Sequence, residues 1–102
     1  MTVMEGILSI QRIKGSDIML LNDIPLVKAV SPFNDKEITL TIESESAPAQ
    51  TFSGVAEVFY FAGHQQYHRG IKYVSDFFID DVDIVDWLER LEGKYVTLTI
   101  LG

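Results

Sequence analysis

A chain of 102 residues with 47% hydrophobic and 23% charged side chains can bury one core but is short of the length at which cores divide, so one domain over residues 1–102 is expected. No cysteine is present, which excludes disulfides, thiolate metal sites and cysteine nucleophiles. The net charge is −7, and the segment from Asp76 to Glu92 holds seven carboxylates against Arg90 alone, a net of −6. Such segregation argues against a generic phosphate-binding surface, which needs clustered Lys and Arg, and favours a basic partner. No apolar run approaches the roughly 20 residues of a membrane-spanning helix. Met1 to Gly6 lacks the basic start and apolar block of a signal peptide, so a chain kept in the cytoplasm is expected.

From the N-terminus, Leu8 and Ile10 alternate with Ser9 and Gln11 over Val3–Ile13, and Lys14-Gly15-Ser16-Asp17 is a turn-forming cluster. Ile18–Leu21 returns, so the first twenty-odd residues predict a β-hairpin. A turn at Asn22–Pro25, a short apolar piece at Leu26–Val30 and a breaker at Ser31–Asp35 follow. Ile38, Leu40 and Ile42 then alternate with threonines in a strand, and Ser44–Gln50 reads as an exposed loop. Thr51–Phe61 is apolar on both faces, as in a covered central strand, and Gly54 inside it marks a bulge or a close backbone approach. Gly63–Gly70 predicts a projecting hairpin tip, and Ile71–Ile79 a returning strand.

Ile84, Trp87, Leu88 and Leu91 fall at i, i+3, i+4 and i+7, which predicts one amphipathic helix over about 81–92. Asp80 is placed to cap it, Ile79 and Ile84 to form a hydrophobic staple, and Gly93 to close it in a left-handed conformation. Val96, Leu98 and Ile100 then alternate in a C-terminal strand. The expected architecture is a β-rich α+β domain: a curled or barrel-like, mostly antiparallel sheet of five to seven short strands, with one helix before the last strand. Small barrels such as the OB-fold share that strand count, but no motif supports the comparison. Lys36–Ile42 echoes Lys94–Ile100, and we read the echo as two strands solving one packing problem, with threonine pairs across them if they are neighbours.

For function, the acidic segment is the sharpest feature. Asp76, Asp80, Asp83, Asp86 and Glu89 form a candidate partner-binding strip for the basic surface of a nucleic-acid-binding protein or a toxin, in the manner of phage or mobile-element inhibitors and immunity proteins. The plain alternative is a solvated face whose first-turn aspartates favour the helix by meeting its dipole. From a different class, Tyr67, His68, Arg69 and Tyr73 mix aromatic and basic groups as a single-stranded nucleic-acid or nucleotide-binding barrel would. His64 and His68 have the spacing of two metal ligands but lack a third, so no metal or other cofactor is expected. No motif of a catalyst is present, and a non-enzymatic role is expected. Unpaired strand edges and the apolar Ile18–Leu21 segment would also serve pairing with a second copy.

Overall fold

The computed structural model describes the backbone except at residues 14–15 and 66–69, and the side chains except at 13–16 and 61–74. Eight antiparallel strands are joined in the order β3-β2-β1-β8-β4-β5-β6-β7. They are β1 (Thr2–Ile13), β2 (Ser16–Leu21), β3 (Ile24–Pro25), β4 (Glu37–Ser44), β5 (Ala47–Gln65), β6 (Gly70–Ile79), β7 (Val82–Asp83) and β8 (Tyr95–Leu101). Two short helices, α1 (Leu26–Val30) and α2 (Ile84–Leu88), each run into a 3-10 turn. The sheet is therefore open, not barrel-like, with more strands and one more helix than the alternation suggested. Its outer strands β3 and β7 are two-residue pieces, too short to pair across a barrel.

The chain is two copies of one unit. Turn residues Asn22 and Asp23, at φ 52° and 64°, recur 58 positions later as Asp80 and Asp81, at φ 50° and 69°. Each pair forms the two-residue bend of a tight hairpin, closed by Leu21↔Ile24 in the first copy and Ile79↔Val82 in the second. The same offset takes α1 to α2, Asp35 to Gly93 (φ 66° and 84°) and β4 to β8. Backbone bonds match as well: Leu8 N–H donates to Lys94 O at 2.9 Å, and Ala56 N–H donates to Lys36 O at 2.8 Å. The two copies meet where β4 and β8 pair, with Thr41 directly opposite Thr99. Leu40↔Ile100 and Ile42↔Leu98 flank that pair, so a local two-fold axis passes between the threonines. The echo of Lys36–Ile42 in Lys94–Ile100 is thus the visible trace of a whole-chain repeat. The threonine hydroxyls bond outward instead of across the axis, Thr39 to Ser53 at 3.0 Å and Thr41 to Thr51 at 3.3 Å.

One core serves both copies. Leu40, Ile42, Leu98 and Ile100 supply its sheet side, Phe77 and Ile79 the β6 wall, and Leu26, Val27, Val30, Ile84 and Leu88 the helices. Each helix is held by this burial, since five residues are too few to be stable alone. That shortness overturns the expectation of a three-turn helix over 81–92. With Asp80 and Asp81 both at positive φ, no helix can begin there, and the cap moves to Asp83, whose Oδ1 accepts from the Asp86 N–H at 3.0 Å. Gly93 does turn the chain in the left-handed region, and its N–H donates to Leu8 O at 2.6 Å. Helix α1 escaped the periodicity because it shows only Leu26, Val27 and Val30 to the core and has Pro25, without a side-chain bond, at its start.

Two further expectations fail. Residues Ser44–Gln50 hold a bend at 45–46 and then enter β5, so they are not a loop. Strand β5 is covered on one side only, since Val55 and Phe59 remain 47% and 45% exposed. Beyond Ala56 it leaves β4 and pairs with β6, and its second apolar row faces outward. Gly54 makes the close approach foreseen for it: a Cβ there would lie 2.6 Å from the Asp80 Cβ.

Candidate functional site

Four of the five carboxylates in the predicted strip converge. Asp76 from β6, Asp83 from the start of α2, Asp86 from α2 and Glu89 from the following 3-10 turn line one groove of about 210 Å³. A fifth carboxylate, Asp17, comes from β2 in the other copy, and Ile10, Met19 and Val85 provide the apolar lining. Asp80 lies apart from the groove, in the β6–β7 bend beside Gly54. The local reasons are plain. Strand alternation in β6 sets Asp76 on the face opposite Phe77 and Ile79, and it is half-buried where it lines the groove. Asp83 is oriented by the cap bond to Asp86, and Asp86 and Glu89 are three apart on the outer side of the turn.

Among the described residues no cation forms an ion pair with a groove carboxylate, although Arg12, opposite Asp17 across β1 and β2, lies near enough to feel Asp17 and Glu89. Among the described residues the one ion pair is Arg12–Glu92, a two-pronged contact at 3.0 Å on each side, and neither partner lines the groove. The hydrogen bond to Arg12 holds the Glu92 carboxyl below the usual range and, reciprocally, raises the Arg12 guanidinium. Arg90, the cation within the acidic segment, folds back instead: its guanidinium sits 4.7 Å over the Trp87 ring and its Nε donates to Trp87 O at 2.9 Å. Trp87 is half-buried, edge-on to Phe52 at 5.5 Å, so the apolar side of this element is inward as the spacing implied.

Asp17 was invisible to sequence reasoning because it belongs to a turn cluster 59 positions before Asp76; only the approach of β2 to β6 joins them. The alternative ligand set of Tyr67, His68 and Arg69 lies outside the described residues, as do the side chains of Tyr73 and His64. Among the described residues no group of three or more His, Asp or Glu is placed to hold a metal ion, and no helix is long and apolar enough to cross a membrane.

A second exposed surface is the outer face of the four-stranded centre, β1-β8-β4-β5. Val3, Ile7, Tyr95, Leu101 and Val55 are about half exposed there, between rows of threonine. Its charged residues Glu5, Glu37 and Glu43 are all acidic. The Tyr95 hydroxyl is raised, first by desolvation and then by the neighbouring Glu5 carboxylate.

Comparison with protein-family models, with curated proteins and with solved structures returns no match for this chain.

Proposed function

We propose that this chain is a small acidic interaction domain whose groove of Asp17, Asp76, Asp83, Asp86 and Glu89 receives a basic segment of a protein partner. The observation that carries the reading is the convergence of five carboxylates from both copies on one concavity, none of them in an ion pair among the described residues; the nearby Arg12 is engaged by Glu92. Collecting like charges costs self-repulsion, and that cost is recovered when a cationic partner enters. The apolar lining from Ile10, Met19 and Val85 would take the aliphatic stems of Lys or Arg. A role of this kind in the cytoplasm, as an inhibitor or immunity-type protein acting on a nucleic-acid-binding protein or a toxin, needs no catalytic group of its own. The acidic outer sheet face points the same way, because a second copy stacked there would oppose Glu5, Glu37 and Glu43 to their own kind.

The test is a triple reversal, Asp17→Lys, Asp86→Lys and Glu89→Lys, which touches exposed positions and spares the Asp83 cap. Affinity capture from the native cell should lose its salt-sensitive basic partner while the melting temperature does not fall, since relief of the self-repulsion can only raise it. Capture that is indifferent to the reversal, or salt-dependent binding of oligonucleotides by the unaltered chain, would overturn the reading.

A further inference from the structure

The repeat allows each copy to be used as the control for the other. In the second copy, Trp87 packs its indole edge-on against Phe52 beside the outer edge of β5. The repeat places Ala29 where the second copy has Trp87, and Met4 where it has Phe52, by the same pairings that match Met4↔Leu98 to Leu40↔Phe52. What the first copy has there is an open, mostly apolar pocket of about 180 Å³, walled by Met4, Leu21, Ile24, Leu26 and Ala29. Ile24 stays 56% exposed at its mouth. For scale, a cavity of about 150 Å³ suffices to bind benzene in a protein core.

We propose that this pocket is a binding site for an aromatic side chain, of indole size, presented by a partner polypeptide. The framework is the one that already holds an indole in the other copy, and the space is there because the ring is replaced by a methyl group. Charge narrows the occupant further. Glu5 is the one charged residue lining the pocket, beside the side-chain amide of Asn22. A cation next to the partner's ring would therefore be matched, as Arg90 lies beside Trp87 in the second copy. The pocket shares no residue with the acidic groove, so the inference stands whether or not that groove has the function proposed for it.

The experiment is a titration of the intact chain with N-acetyl-tryptophanamide, followed by amide chemical shifts. Saturable shifts should appear at Met4, Glu5, Leu21, Ile24 and Ala29, and N-acetyl-alaninamide should give none. Ala29→Trp fills the site from within and should weaken probe binding by at least about tenfold while raising the melting temperature. Should that ring overpack the site and prevent folding, Ala29→Leu provides the smaller filling with the same expected loss. A lysine-bearing probe, acetyl-Trp-Lys-amide, should bind more tightly than acetyl-Trp-Glu-amide, and Glu5→Gln should remove the difference. No saturable shift at millimolar probe, shifts that survive in the folded Ala29 variants, or equal affinity of the two charged probes would overturn the assignment.

Discussion

The two equivalent contacts between a glycine and a hairpin bend, one in each copy, give the sharpest test of the repeat as a physical unit. Gly54 sits at φ 152°, and a Cβ added to it would meet the Asp80 Cβ at 2.6 Å and Cγ at 3.0 Å. Gly54→Ala therefore combines a strained backbone, at about 1–3 kcal/mol, with overpacking, also about 1–3 kcal/mol. The sum of about 2–6 kcal/mol is a large share of the ~5–15 kcal/mol that holds a domain of this size folded. Asp80→Gly removes both clashing atoms, leaving Ile79 Cγ2 at an ordinary 3.4 Å. In that background Gly54→Ala should keep only the backbone part of its cost, a coupling of about 1–3 kcal/mol between the two sites. Urea unfolding followed by Trp87 fluorescence measures all four corners of the cycle. A Gly54→Ala change within about 0.5 kcal/mol of the parent, or strict additivity with Asp80→Gly, would refute the reasoning. Gly6→Ala should behave alike against Asn22, at 2.5 Å, but Asn22→Gly should rescue it less, because the Asn22 backbone N and Cα remain at 3.1 and 3.2 Å.

The other expectations can be checked with the same denaturation assay. Phe77→Ala empties the largest fully buried side chain among the described residues and should cost about 3–5 kcal/mol, seen as a lower urea midpoint at unchanged slope. Asp83→Ala removes the bond that caps α2 and should cost about 1 kcal/mol, and Asp83→Asn should restore most of it. The lowered Glu92 carboxyl is ionised more readily in the folded chain than in the unfolded one. Its contribution is therefore present above the ordinary glutamate range and is lost as pH falls through the folded value. Stability measured down that acid range should fall less steeply in Glu92→Gln and in Arg12→Gln than in the parent chain; an equal slope in either variant would count against the pair.

Much of the strand layout was legible because alternation records burial directly: Ile38, Leu40, Ile42 and Val96, Leu98, Ile100 are inward in structure as in pattern. The inward face of α2 and the bend at Gly93 were legible for the same reason, each being a local consequence of nearby residues. The strip of Asp76, Asp83, Asp86 and Glu89 was legible too, since one short stretch carries all four. What escaped has a common cause. Helix α1 is too short to complete a periodic stripe, and the outward row of β5 is as apolar as a buried one, so neither could be judged without its neighbours.

By itself the sequence determined the antiparallel β-rich class, the inward rows, the tight turns and the concentration of charge late in the chain, because each follows from the chemistry of adjacent residues. The tertiary structure alone decided how far the repeat extends beyond its visible echo, that Asp17 joins the acidic groove, and that Ala29 leaves open what Trp87 fills. Packing asks only for an apolar side chain of suitable volume, so two copies can keep one backbone and bonding scheme while sharing in sequence mainly the threonine strand, the aspartate turn and a glycine. Residues 48 or 58 positions apart become equivalent only when β4 and β8 pair about Thr41 and Thr99.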